Sequence, residues 1–198
     1  MLTVGIAGGS ASGKSTFAAA LRDALLARDP ALRVVNVSTD HHWQDRSGPP
    51  RFVSPSTGDE HFDHNHPDAL NQASLFSALD ALAGQADVVL LEGLMVLHHP
   101  TVRERLNLRL FVELDADERA LRRLLRDMQG GRTITDPVKI ATYYRESARV
   151  GHARYVEPSR VYADLIIRGD ADFARIAPRI AAVVLDDVSA VSPEGRKN

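Results

Sequence analysis

The nine-residue stretch GGSASGKST (8–16) constrains the fold more than any other part of this chain. It carries the pattern G-x-x-x-x-G-K-[ST] as Gly8, Gly13, Lys14 and Ser15. The short apolar run TVGIA (3–7) precedes it, and in the segment that follows, 14–29, Phe17, Leu21, Ala24 and Leu25 share one helical face. A strand, a glycine-rich turn and a helix in that order make a phosphate cradle. Glycines let the backbone curl until successive N–H groups point at one anion, and the helix N-terminus adds its positive end. The cradle residues are Gly8, Gly9, Ser10, Ala11, Ser12, Gly13, Lys14, Ser15 and Thr16. Lys14 is expected to reach the β- and γ-phosphates, and the Ser15 hydroxyl to serve Mg²⁺.

Further short runs rich in Val, Ile and Leu recur at 33–37, 87–92, 108–114 and 163–168, without strict alternation. That is the signature of strands covered on both faces of a parallel sheet. Helical patterns lie between them, at 14–29 (ended by Asp29-Pro30), 67–83 (Pro67 in the first turn, Gly84 at the close), 116–129, 137–156 and 170–185. The predicted fold is α/β: a P-loop NTPase of the nucleoside/nucleotide-kinase kind, three-layered, with a mostly parallel five-stranded sheet and an arginine-rich helical lid. We expect one domain over 1–185 and a flexible tail over 186–198. The region 41–66 is long and polar, rich in His, Pro and Gly, and shows no periodicity. A loop of that length in a small domain is usually functional or disordered.

Composition narrows the chemistry. The chain has no cysteine, which removes disulfides, thiolate metal ligands and thiol nucleophiles. Its formal charge of −2 gives no reason to expect nucleic acid or a membrane surface as partner. No secretory leader or membrane-length apolar run is visible, so a cytoplasmic protein is expected. A guanine-reading N-K-x-D is ruled out because the chain contains no Asn-Lys pair.

A small-molecule kinase needs an acid beside the acceptor hydroxyl, a second carboxylate for the metal and a mobile cationic lid. Asp40 follows the 33–37 run and Glu92 ends VVLLE, both at the sheet edge where ligands of open α/β folds bind. Asp40 can accept a hydroxyl proton, and Glu92 can hold a metal ion directly or through water. Segment 116–129 opens on Asp115 with Glu118 three residues later, a capping-box pattern. Its Leu121, Leu124, Leu125 and Met128 form an apolar stripe, away from a cluster of Arg119, Arg122, Arg123 and Arg126. A charge stripe usually faces solvent. Against that, four arginines without interleaved acids repel one another unless an anion joins them. Gly130-Gly131, with Arg132 just beyond, reads as the hinge of a lid.

These motifs together resemble the uridine kinase branch of the uridine kinase/phosphoribulokinase family. The likeness runs in order through GIAGGSASGKST, STDHHWQD, FDHNHPDALN, LLEGLMVL, LFVELDADERALRRLLRDMQGGR and YVEPSRVYADLIIRGD. It implies transfer of a phosphoryl group from ATP (GTP as the alternative), with Mg²⁺, to a small-molecule hydroxyl, typically the 5′-OH of uridine or cytidine. By position, Asp40 matches the catalytic acid and Trp43 an aromatic residue against the acceptor. Asp63 matches an acid that grips ribose hydroxyls, and Phe62 and His64 flank it. Ser15 and Glu92 match metal-site positions, with Asp40 beside them; Arg123, Arg126 and Arg132 match lid arginines. Arg149 aligns with a basic residue before the EPS segment. A homo-oligomer is left open.

Three departures stand out. MQGGR is one residue shorter than the usual lid turn, and FDHNHPDA is two residues longer than the usual FDHPDA. The hairpin that embraces the pyrimidine in uridine kinases is missing; only a few residues around AGQAD join the 67–83 segment to VVLLE. Loop 41–66, with Trp43, Phe52, Phe62 and its histidines, is the candidate replacement. Alternatives are a kinase of another neutral polyol (a sugar, nicotinamide riboside or pantothenate), a phosphoribulokinase-like enzyme, and a nucleotide-binding regulatory protein. A phosphorylated acceptor would want more basic residues in the loop than Arg46 and Arg51. His61-x-x-His64 has ligand-like spacing, but loop histidines lack the firm frame a zinc site needs, so pocket hydrogen bonding is expected instead. His98-His99 before Pro100 reads as a surface helix start.

Overall fold

The computed structural model describes residues 1–131 and 134–191, with side chains through Val188. Arg132 and the tail segment 192–198 lie outside the described residues. In chain order the elements are β1 (Leu2–Gly8), α1 (Lys14–Arg28), β2 (Val34–Ser38), β3 (Arg51–Val53), β4 (Glu60–Phe62), α2 (Gln72–Ala81) and β5 (Val88–Glu92). They continue with α3 (Pro100–Arg103), β6 (Leu108–Glu113), α4 (Ala116–Arg126), α5 (Pro137–Tyr143), α6 (Arg149–Gly151), β7 (Leu165–Arg168) and α7 (Phe173–Val191). Wide π-type turns join α5 to α6 and run on to Val156, so 137–156 is one irregular helical run. Helix α7 continues past Leu185, where the apolar pattern thins.

The main sheet has the order β2-β5-β1-β6-β7 with every pair parallel. Successive side chains point to opposite faces of a strand. Val88 and Leu90 of β5 therefore enter one apolar cluster, and Val89 and Leu91 enter the other. Helices α1 and α7 cover the first face through Phe17, Leu21, Leu25, Ala177, Ala181 and Val184. Helices α2 and α3 and the segment after β5 cover the second through Leu75, Leu79, Val96, Leu97 and Val102. Burial on both faces is why β1 and β5 read as unbroken apolar runs, and each buried Leu or Phe contributes about 1.5–3 kcal/mol.

Four local expectations change. Region 41–66 holds an antiparallel hairpin, β3 with β4, paired Arg51 to Phe62 and Val53 to Glu60. Strands of three residues are too short to show a period. Pro67 starts a separate 3₁₀ turn, and α2 begins after Asn71, whose side chain accepts from the Ser74 N–H. The Asp115–Glu118 capping box does not form: Asp115 instead accepts from Arg168 Nη2 at 2.9 Å. His99 does precede α3, but it is buried, its ring placed 3.2 Å from both Gln72 Nε2 and the Pro67 carbonyl.

The largest surprise is the orientation of α4. Leu121, Leu125 and Met128 are exposed, whereas Arg119 is only 5 % exposed. The helix turns Arg119 and Arg123 inward and most of its apolar stripe to water, with Arg122 and Arg126 half-exposed. Burying Arg119 is tolerable because its Nε donates to the Leu114 carbonyl at 3.0 Å.

Candidate active site

Sheet register brings the sequence-predicted residues to one edge. Glu92 pairs with both Ile6 and Ser38, so the C-terminal ends of β1, β5 and β2 stand level. The phosphate loop leaves β1 there. Gly13 has φ +98°, in the left-handed region where a side chain would be strained, and it serves as the N-cap of α1 with no side-chain cap. Ser12 is fully buried and its Oγ has no hydrogen-bond partner. A tight loop, an uncapped helix N-terminus and an orphaned hydroxyl suit a phosphate chain. Behind the loop, a Cβ on Gly9 would lie 2.6 Å from Arg119 Nη1 and 2.9 Å from His152 Nδ1. Burial and the Arg119 charge push the His152 imidazole down to about 4, so it is neutral near pH 7.

Lys14 Nζ lies 3.7 Å from Glu92 Oε2, and that buried oxygen has no hydrogen-bond partner. Asp40 sits in the single 3₁₀ turn after β2 (Thr39–His41), its N–H donating to Ser38 Oγ at 3.3 Å. The turn can press against the end of β5 because residue 93 is glycine: a Cβ there would overlap Thr39 Oγ1 and lie 2.8 Å from Thr39 Cβ. The Ser15 hydroxyl and the Asp40 and Glu92 carboxylates are hard oxygen donors, the set that Mg²⁺ prefers. The residues present therefore fit the ion.

The arginines of α4 are not without acids, contrary to the sequence reading. Arg122 Nε donates to Glu118 Oε1 at 2.8 Å, and Nη1 donates to the Gly169 carbonyl. Asp127, buried just past the helix, meets Arg126 at 2.7 Å and Arg123 at 3.4 Å. Two guanidinium groups on one carboxylate leave a net positive charge. Arg123 also donates to Ser10 Oγ of the phosphate loop at 3.1 Å. The cationic face is thus anchored over the cradle.

A cavity of about 930 Å³ runs from this positive end to the β3–β4 hairpin. Ser10, Lys14, Ser15, Asp40, Arg123 and Arg126 line one part, with Tyr143 beside Arg123, and Trp43, Phe52, His61, Phe62 and His64 line another. The His64 ring is edge-on to Trp43 at 5.2 Å and to Phe62 at 4.9 Å. The hairpin is tied across the cavity by Ser54 Oγ, which donates to Glu146 Oε2 at 2.6 Å. This bond and Ser56 hold the Glu146 carboxyl below its ordinary range. Because α2 joins β5 through only the short turn 82–87, the hairpin supplies this wall of the cavity.

Other predicted residues are placed elsewhere. Asp63 and Glu92 do not line the cavity. The Asp63 carboxylate turns back to accept from the Asn65 N–H at 3.0 Å. Thr16 and Arg149 are exposed and off the cavity wall, and Arg132 is outside the described residues. Among the described residues no three His, Cys, Asp or Glu side chains cluster as a metal site. His66 and His98 instead stack edge-on against Tyr155 at 5.2 and 5.5 Å. Phe52, named with the candidate loop, lines the cavity; sequence reading missed Asn65, Tyr143, Glu146 and His152 as parts of the site. Only the lengthening of FDHNHPDA hinted at Asn65.

The model of the phosphoribulokinase/uridine kinase family matches residues 61–172. Uridine kinase of Chloroflexus aggregans is 34 % identical over 193 residues, covering 85 % of this chain and 87 % of that protein. The chain belongs to the phosphoribulokinase/uridine kinase family. Uridine kinase of Deinococcus deserti is also 34 % identical, over 83 % of this chain and 86 % of its own length. Among solved structures, a protein assigned as a fructose transport system kinase of Silicibacter sp. TM1040 superposes with a TM-score of 0.63 at 18 % identity. It covers 84 % of this chain and 89 % of that one. Shikimate kinase of Acinetobacter baumannii gives 0.50 at 14 % identity, over 98 % and 96 %. These two likenesses show the P-loop kinase fold. As a member of the phosphoribulokinase/uridine kinase family the chain is a phosphotransferase. No described helix is long and apolar enough to cross a membrane.

Proposed function

We propose that this family member phosphorylates a hydroxyl of a neutral nucleoside, the 5′-OH of uridine or cytidine first, from ATP with Mg²⁺. One observation carries the reading: Asp40, Lys14 and Arg123 share a single cavity with an aromatic wall. Asp40 takes the proton of the attacking hydroxyl as the oxygen–phosphorus bond forms, and orients that oxygen. Lys14, Arg123 and Arg126 face the charge that builds on the transferring group, where exclusion of water strengthens each contact. Ser15 and Glu92, beside Asp40, are the residues that would hold Mg²⁺, which when bound neutralises phosphate charge. The Trp43, Phe52 and Phe62 wall offers faces and edges on which a planar base can lie.

A neutral acceptor is favoured over a phosphorylated one. Among the cavity's remaining charged lining residues, Arg46 and Lys139 are balanced by Asp59, Asp136 and Glu146, so no second cluster of positive charge awaits another phosphate. A screen of ADP release over uridine, cytidine, ribose, pantothenate and nicotinamide riboside tests the reading. Turnover with uridine or cytidine, lost in Asp40→Asn while ATP binding persists, is the expected result. Turnover with ribose or pantothenate alone overturns the nucleoside assignment, turnover with nicotinamide riboside alone overturns the choice of uridine or cytidine, and full activity of Asp40→Asn overturns the role of that acid.

A further inference from the structure

Asn65 is buried, and both protons of its amide are used. Nδ2 donates to Tyr143 Oη at 3.0 Å and to Ser147 Oγ at 2.8 Å, both on the helical run that starts with α5. Its backbone N–H donates to Asp63 Oδ1, and the Ser147 hydroxyl passes its own proton toward the same oxygen at 3.4 Å. A Cβ on Gly151 would lie 2.5 Å from Asn65 Cβ and 2.6 Å from its carbonyl, so helix and loop approach to backbone contact here. Tyr143 in turn lies beneath the Arg123 guanidinium, 5.1 Å from carbon to ring centre, and Arg123 reaches Ser10 of the phosphate loop. An unbroken series of contacts therefore links the segment after β4 to the cradle: Asp63, Ser147, Asn65, Tyr143, Arg123, Ser10.

We propose that Asn65 is a positioning residue that clasps the acceptor-side segment 62–66 to the lid-side helix and through Tyr143 sets Arg123 over the phosphate loop. The inference rests on the kinase reading and adds a residue to it. An amide suits the task because it donates twice from one nitrogen; an isosteric carboxylate cannot, and would stand beside Asp63. Buried amides whose protons are both held in hydrogen bonds rigidify what they join. A physical series of contacts becomes coupling only when cutting it changes both ends.

The test is kinetic. Asn65→Ala should leave ATP affinity within twofold and lower kcat/KM for the acceptor by about 10²-fold, with losses in both KM and kcat, as a displacement of about 1 Å would. Tyr143→Phe keeps the ring under Arg123 and removes one oxygen; it should lose about tenfold. The double variant should be no worse than Asn65→Ala alone, since the two act through one bond. Losses that multiply, or unchanged acceptor kinetics in either variant, overturn the clasp. Tyr143→Phe carries the test should Asn65→Ala fail to fold. If the wild type transfers phosphate to no acceptor, the kinase reading falls instead. The clasp is then read from hydrogen exchange: in Tyr143→Phe, amides of 62–66 and 137–147 should both exchange several-fold faster, and unchanged exchange overturns it.

Discussion

Gly93→Ala is the sharpest test of how the proposed proton acceptor is held. The new Cβ would overlap Thr39 Oγ1 and lie 2.8 Å from Thr39 Cβ and Cγ2. Carbon atoms pack at about 3.5–4.0 Å, so Thr39 must retreat by roughly 1 Å. It has little freedom to do so: Thr39 is 3 % exposed, its χ1 is stiff, and the Gly93 N–H is tied to the Ile6 carbonyl at 3.1 Å. The displacement passes to Asp40, the next residue in the same turn. Overpacking of this kind costs about 1–3 kcal/mol, which for a chain of this size lowers Tm by roughly 2–12 °C. A shift of about 1 Å in a reacting group costs up to about 10²-fold in rate. We expect kcat to fall by that order while ATP affinity, set by the loop at 8–16, stays within a few-fold. Adding Thr39→Ala removes Oγ1 and Cγ2 and should recover part of both losses. Calorimetry and coupled ADP-release kinetics read the outcome. A variant with wild-type kcat and Tm would refute the idea that this contact places Asp40.

Three further perturbations follow from the geometry. Leu121→Gln and Leu125→Gln, on the exposed stripe of α4, should change stability by no more than about 0.5 kcal/mol, whereas Arg119→Ala should cost about 2–3 kcal/mol by leaving a void under the loop and unpairing the Leu114 carbonyl; urea titrations of the variants decide it. His152 has its folded value lowered from 6.5 to about 4, so the unfolded chain binds the extra proton between those values. Its contribution is complete above about pH 6.5 and is lost as pH falls toward 4, up to about 3 kcal/mol; His152→Gln should flatten that part of the Tm–pH curve. Phe52→Ala, in the hairpin wall, should raise the acceptor KM at least about tenfold with little change in ATP affinity, measured by initial rates.

The sheet and the phosphate loop were legible because their signals are local: a strand ends, glycines turn and a helix starts within a few residues. The placement of Asp40 and Glu92 at the C-terminal edge of the sheet was legible for the same reason, one just after an apolar strand and one at the end of another. Helix α4 was not. Periodicity separates two faces of a helix but does not say which one looks inward, and here the phosphate loop draws Arg119 and Arg123 in while Leu121 and Leu125 face water. The β3–β4 hairpin escaped because three-residue strands carry too few positions to alternate. Beyond the lengthened FDHNHPDA, nothing pointed to the role of Asn65, because its partners, Tyr143 and Ser147, are 78 and 82 residues away. Nothing in the neighbouring residues distinguishes an amide that bridges two elements from one in a polar loop.

The hairpin wall has a consequence for how such a kinase diversifies. Asp40, Trp43 and the β3–β4 hairpin all belong to one uninterrupted stretch between β2 and α2. On the proposed reading, a single exchange within residues 40–64 would therefore carry the proton acceptor and the hairpin wall together, provided Asn65 keeps its bonds to Tyr143 and Ser147. Where the wall instead follows α2, the two must be inherited or engineered as separate pieces. With only a short turn between α2 and β5, acceptor choice in the proposed kinase would sit in one cassette.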